Sequence, residues 1–82
     1  MQDKPMTVIA NLHQVEGWHY ATSQQLTGLL VAHKDLEVVK AEIPVLIKEL
    51  YRAEFNQEVV LEKLYLPHTE DKAAYSAILI AA

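Results

Sequence analysis

Apolar and polar residues alternate along three short segments of the first part of the chain, as they do in half-buried β-strands. In the first segment, Val8, Ala10 and Leu12 fall on one side and polar residues fall on the other. Glycines mark the links: Gly17 can take the positive φ of a hairpin turn, and Gly28 permits a bend before the third segment. The pattern therefore predicts an antiparallel three-stranded meander with strands at 7–13 and 18–23 and a third strand that is entered through a bend at Thr27-Gly28, within the apolar run 26–33.

From Asp35 onwards the apolar residues recur at spacings of three and four, which is the period of an amphipathic helix. Asp35 can cap that helix by accepting a hydrogen bond from a free backbone N–H, and Asn56 can end it in the left-handed conformation. Pro44 would clash with the Lys40 carbonyl, so we expect one kinked helix, about 35–55, rather than a fresh start. Its apolar stripe consists of Leu36, Val39, Ile43, Leu46, Ile47 and Leu50.

The pattern of residues in the C-terminal part of the chain predicts further strands. The segment from Glu58 to Leu66 alternates again, with apolar residues on both faces and Pro67 after it. Residues 67–72 form a predicted turn, and 73–82 fits a strand or a short alanine-rich helix, of which we favour the strand. The expected fold is α+β, in the order β-β-β-α-β(-β), with the helix packed on the sheet.

Composition narrows the class of protein. A chain of 82 residues is long enough for a single domain, 1–82, and we expect residues 1–5 to form a disordered tail. Hydrophobic residues make up 51%, which favours a folded core. There is no cysteine, and the N-terminal residues do not resemble a signal peptide, so we expect a cytoplasmic protein.

Charge and glycine content argue against several functions. The net charge is -4 and the seven lysines and arginines are scattered, so we expect neither direct nucleic-acid binding nor membrane binding. The first predicted strand carries no carboxylate that could hold a catalytic cation, and only two glycines are present, too few for a phosphate-binding loop. We therefore predict that the chain is not an enzyme and has no cofactor.

The histidines suggest one alternative function, of a different class. Imidazole is a common metal ligand, and His13 and His19 could approach each other across the predicted hairpin. The structural interpretation, polar residues on an exposed sheet face, is favoured because no cysteine accompanies them. The alternative is a small-ligand or metal-binding protein, or a minor enzyme, with a site at a subunit interface that uses histidines and Tyr65 or Tyr75. The four histidines are His13, His19, His33 and His68.

Some apolar residues are not needed to build the core of a monomer. Val38, Ala41 and Val45 lie on the side of the predicted helix opposite the main stripe and form a candidate association face. Trp18 and Tyr75 are further interface candidates, although packing within the domain is the more common use of a large aromatic residue. An open sheet edge is a second association site. These positions favour a protein partner and a homo-oligomer.

The order of elements and several short motifs resemble the HicB-like antitoxin superfamily, in particular its short single-domain members of unassigned function. In that family a Gly-aromatic hairpin precedes a Leu-Pro-Gly-Leu turn and a Thr-Leu-Glu-Glu-Leu helix start. Here Thr27 stands in place of the proline and Asp35 in place of the threonine. The similarity covers roughly Thr7 to Leu66. The matching motifs are Gly17-Trp18, Leu26-Thr27-Gly28-Leu29, Asp35-Leu36-Glu37 and Ile43-Pro44.

This resemblance implies a partial RNase H-like fold without nuclease activity, self-association, and a role in neutralising a small RNA-cleaving toxin. Longer members also carry a C-terminal DNA-binding module, and too few residues follow Pro67 for its two helices. We therefore expect a non-enzymatic HicB-like protein-interaction module, an antitoxin whose partner is a small basic toxin.

Overall fold

The computed structural model describes residues 7–65 and 71–81, and within them it shows the predicted α+β order. Three antiparallel strands precede one helix, and two strands follow it, so the last segment is a strand and not a helix. The predicted tail and most of the predicted turn at 67–72 lie outside the described residues. The elements are β1 (Thr7–Val15), β2 (Trp18–Ser23), β3 (Leu30–His33), α1 (Leu36–Phe55), β4 (Glu58–Leu64) and β5 (Lys72–Ala81).

All five strands belong to one curled antiparallel sheet with the order β3-β2-β1-β5-β4. β5 therefore lies between β1 and β4, and β3 and β4 form the two edges. The helix α1 covers one face, where the core is built from alternate strand residues and one side of the helix. Its strand members are Val8, Ala10, Ala21, Val59, Tyr75 and Ala77.

A tight turn joins β1 to β2. β1 extends two residues beyond its predicted end, because Val15 pairs with Trp18 and leaves only Glu16 and Gly17 in the turn. Both turn residues have positive φ, 50° and 84°, as a type I′ turn requires. Glu16 is therefore an L-residue with a side chain in the left-handed region, which costs free energy that asparagine or glycine largely avoids.

We expect Glu16→Asn to stabilise the protein by about 0.5–1 kcal/mol, because asparagine followed by glycine is the preferred type I′ pair. Urea unfolding followed by circular dichroism measures the change. Thr27→Asn, another exposed turn residue, is the control and should leave the midpoint unchanged. A lower unfolding midpoint for Glu16→Asn would contradict the turn geometry.

The third strand begins at Leu30, after the bend predicted at Thr27-Gly28. Residues 26–29 form a turn, in which the Leu29 N–H donates to the Leu26 carbonyl over 3.0 Å. Both leucines are only 2% exposed, because the turn inserts them into the core instead of extending the sheet. A Cβ at Gly28 would lie 3.2 Å from Leu50 Cδ2, so the missing side chain lets this turn approach α1.

The helix has the predicted caps and is continuous through Pro44. Asp35 Oδ1 accepts a hydrogen bond from the Glu37 N–H over 3.0 Å, and Asn56, with φ of 53°, ends the helix by donating to the Arg52 carbonyl. The core face of α1 includes a residue that the predicted stripe omits, the 2% exposed Tyr51. The fully buried positions are Val39, Ile43, Ile47 and Tyr51, while Leu36, Leu46 and Leu50 are partly buried.

Burial of two tyrosines should make the domain sensitive to alkali. Desolvation raises the pKa of Tyr51 and of Tyr75 above the ordinary value of 10.0. The folded state therefore retains protons that the unfolded state releases, so stability is complete below pH 10.0 and falls as the pH rises through the folded-state pKa values.

We expect Tyr51→Phe to reduce this alkaline loss. It should also raise stability at neutral pH by about 1 kcal/mol, because the buried hydroxyl of Tyr51 has no hydrogen-bond partner among the described residues. Thermal melts between pH 7 and pH 11 measure both effects. Tyr65→Phe is the control, since Tyr65 is 86% exposed. Equal alkaline loss in wild type and in Tyr51→Phe would contradict the assignment.

Candidate protein-binding surface

The face of the sheet that points away from α1 carries more apolar residues than a solvated face usually does. Alternation fixes which residues point outward: Val8 and Ala10 are buried towards α1, so Ile9 and Asn11 lie on the other face. The strand registers extend this assignment to the neighbouring strands. Large apolar residues on the outward face and at least 43% exposed are Val15, Trp18, Leu30, Val60 and Ile78.

The C-terminal strand pair carries the densest part of this surface. Val60 on β4 lies directly opposite Ile78 on β5, and the two side chains are 43% and 46% exposed. Ile80, two residues further along β5, is the residue without a β4 partner at the register shift between Glu58 and Val59, and it is 60% exposed. We call Val60, Ile78 and Ile80 the aliphatic cluster. Exposed aliphatic residues grouped in this way mark an interaction site more often than scattered ones do.

Acidic side chains accompany the aliphatic cluster. Glu58 and Glu62 share the outward face of β4 with Val60 and are exposed. Arg52 lies 3.5 Å from Glu58, but both side chains are more than half exposed, so water screens this ion pair. The cluster with its acidic neighbours is therefore chemically suited to a partner surface that combines apolar and basic groups.

The structure does not gather the interface residues predicted from the sequence into one surface. Ala41 and Val45 are exposed on the solvent side of α1, and Val38 beside them is partly buried. Trp18 is 43% exposed on the opposite side of the domain, with Lys34 Nζ 5.5 Å from its ring centroid. Tyr75 corrects our expectation most clearly, because it points towards α1, lies in the core and is 7% exposed.

The histidines are separated by the sheet. His13 lies on the outward face, where its Nε2 is 3.2 Å from Thr22 Oγ1. His19 points to the other face and lies opposite His33, so His13 and His19 do not approach each other across the hairpin, as the metal-binding alternative would require. Residues 7–65 and 71–81 contain no group of three or more His, Cys, Asp or Glu that could hold a metal ion. His68 lies outside these ranges.

A small cavity of about 230 Å³ opens between β1 and the loop after β2. Its polar groups are bonded to the protein itself: Gln25 Oε1 accepts the Ile9 N–H over 3.1 Å, and Lys72 Nζ donates to Asn11 Oδ1 over 3.0 Å. The first of these bonds satisfies a β1 N–H beyond Ala10, the last β1 residue that pairs with β2. The lining residues are Ile9, Asn11, Gln24, Gln25 and Lys72.

Sequence reasoning missed the aliphatic cluster, although two signals pointed to it. Apolar residues occur on both faces of the predicted fourth strand, and the run from Ala77 to Ile80 has no polar residue to alternate with.

No helix in the described part of the chain is long and apolar enough to cross a membrane. Comparison with known proteins finds no similar family model, curated protein or solved structure.

Proposed function

We propose that this chain is a cytoplasmic, non-enzymatic interaction module of the HicB-like type that binds another protein through β4 and β5. The observation that supports this most is the aliphatic cluster, in which Val60, Ile78 and Ile80 are 43%, 46% and 60% exposed to water. Such residues lose contact with water when a partner covers them, and this supplies the main favourable free energy of association.

The partner in this proposal is a small basic RNA-cleaving toxin. The chain has a net charge of -4, and Glu58 and Glu62 lie beside the cluster. A toxin that binds RNA must present basic groups to phosphates. Covering those groups with an acidic surface would block RNA binding and would also speed association. The antitoxin would then act by masking, without any chemical step.

The helix face is a weaker candidate for the same role. Of its three residues, Val38 is already partly buried within the domain, and Ala41 has only a methyl group to contribute. Val45, 50% exposed, is its one large exposed apolar side chain. The strand surface offers three such side chains next to acidic groups, and for that reason we assign the partner to β4 and β5.

We expect Ile78→Glu to weaken binding to the toxin by at least about tenfold, because it places a charge in the centre of the apolar contact. The toxin tested is the product of the reading frame adjacent to the gene, co-expressed, purified and titrated by calorimetry. Leu30→Glu is the matched control, since Leu30 is 64% exposed on the outward face near the other edge of the sheet. Binding of the wild type should also weaken as salt is raised.

Two results would contradict the proposal in different ways. If the adjacent reading frame encodes no small basic protein, or its product does not bind, the antitoxin function is wrong. If a Val38→Asp, Val45→Asp double variant loses binding while Ile78→Glu retains it, the partner binds the helix and not the strands.

A further inference from the structure

The hydrogen bonds around the cavity between β1 and the loop after β2 fix what its side chains can offer a ligand. A glutamine side chain has an oxygen acceptor on one side of the amide and an NH2 donor on the other. At Gln25 the oxygen is turned to the protein, because Oε1 accepts the Ile9 N–H over 3.1 Å and the Ser23 hydroxyl over 3.2 Å. The reversed amide would lose the bond from the Ile9 N–H, which can only donate. Gln25 therefore has its NH2 group left for a ligand.

The same reasoning applies to Asn11. Lys72 Nζ can only donate, and it lies 3.0 Å from Asn11 Oδ1, so the asparagine oxygen faces the lysine and the NH2 group faces away from it. The two residues are directly opposed on β1 and β5, so both side chains lie on the outward face of the sheet. The bond to Asn11 uses one of the three protons of the ammonium group.

The cavity thus combines several donors with one apolar wall. The donors are the NH2 groups of Asn11 and Gln25 and the ammonium group of Lys72, and the wall is the partly buried side chain of Ile9. None of the lining residues within 7–65 and 71–81 is acidic. In that part of the chain Lys72 also forms no salt bridge, so its positive charge is not neutralised there.

We propose that this cavity binds a small monocarboxylate anion. A carboxylate only accepts hydrogen bonds, through two oxygens, and it therefore matches a set of donors that includes a cation. One ammonium group balances one negative charge, which favours a monoanion over a dianion such as phosphate. Ile9 gives contact to a short aliphatic part of the ligand. The inference is independent of the proposed protein binding, because none of these residues belongs to the aliphatic cluster.

The size and exposure of the cavity limit the ligand and its affinity. Its volume of about 230 Å³ is below the range of about 300–1,000 Å³ that is typical for drug-sized ligands, so the ligand has only a few non-hydrogen atoms. Gln25 and Lys72 are exposed, so water competes for their donors. We therefore expect a dissociation constant of about 1–10 mM.

A titration of the ¹⁵N-labelled chain with sodium butyrate, followed by NMR at constant ionic strength, tests the site. The side-chain NH2 signals of Asn11 and Gln25 and the backbone N–H signal of Ile9 should shift and saturate. Butyramide has nearly the same shape without the charge, and it should bind at least about tenfold more weakly. Inorganic phosphate should also bind more weakly than butyrate, and sodium chloride should give no saturating shift.

Two substitutions remove a donor and keep the internal bond. Asn11→Asp retains an oxygen for Lys72, and Gln25→Glu retains an oxygen for the Ile9 N–H, but each replaces the NH2 group by a carboxylate oxygen. Each should raise the dissociation constant for butyrate at least about tenfold. Gln14→Glu makes the same change of charge at an exposed position of β1 on the other face of the sheet, and it should stay within about twofold of wild type.

The backbone signals of each variant verify that it is folded. If Asn11→Asp does not fold, Lys72→Gln takes its place, because it removes the ammonium group and should weaken butyrate binding at least about tenfold. Shifts that do not saturate below about 100 mM butyrate would overturn the proposal. Equal affinity for butyramide, or equal weakening by Gln14→Glu, would also overturn it, since neither result requires the donors of the cavity. No toxin enters these measurements, so this proposal and the proposed function fail separately.

Discussion

Replacing Ile43 with alanine is expected to destabilise the protein by about 2–5 kcal/mol, the largest effect we predict for a single substitution. Ile43 is 0% exposed at the centre of the face that α1 turns towards the sheet. The smaller side chain loses its transfer free energy and leaves a cavity that the neighbours fill only in part. A domain of 82 residues has a total stability of about 4–12 kcal/mol, so a large share would be lost.

Urea unfolding followed by circular dichroism at 222 nm measures this loss as a lower midpoint with an unchanged slope. Val45→Ala, two residues along the same helix, is the control. Val45 is 50% exposed, and alanine is the better helix former, so this variant should stay within about 0.5 kcal/mol of wild type. An Ile43→Ala variant as stable as Val45→Ala would show that α1 does not pack on the sheet as described.

Local chemistry explains why parts of the fold could be predicted. The bounds of α1 follow from its two ends, where Asp35 accepts the Glu37 N–H and Asn56 takes the left-handed conformation. Both properties belong to single residue types, so the sequence shows them directly. The alternation in β2 is equally local, and its predicted bounds agree with the structure. Here neighbours in sequence decide the conformation.

The prediction failed where distant residues decide. Leu26 and Leu29 flank the predicted bend, but the sequence does not show that this turn inserts both side chains into the core. The alternation of apolar residues around Tyr75 is compatible with its side chain on either face of the sheet. Only the position of β5 between β1 and β4 shows that its side chain points towards α1.

The candidate surface was missed for the same reason. Val59 and Val60 are chemically identical neighbours, and nothing local distinguishes the valine that is 4% exposed from the one that is 43% exposed. The difference arises because α1 covers one face of the sheet, whereas no element of residues 7–65 and 71–81 covers the other. A binding surface made of apolar residues becomes visible only once the covered face is known.

Replacing Pro44 with alanine is expected to stabilise the protein by about 1–2 kcal/mol. Pro44 lies in the interior of the twenty-residue helix α1, where it cannot donate a hydrogen bond to the Lys40 carbonyl. Alanine restores that donor and removes the ring from the preceding turn. The gain stays below the full penalty of about 3 kcal/mol, because the ring is partly buried and because proline also restricts the unfolded chain.

Thermal unfolding at neutral pH should show a midpoint about 5–15 °C higher for Pro44→Ala, given the small size of the domain. Pro44→Gly separates the two contributions: glycine also restores the N–H donor but costs about 1 kcal/mol in a helix interior, so its gain should be smaller or absent. If Pro44→Ala instead lowers the midpoint, packing of the ring beside Ile43 outweighs the missing hydrogen bond. The proline would then be part of the contact between α1 and the sheet, and its substitution would resemble the loss of a core side chain.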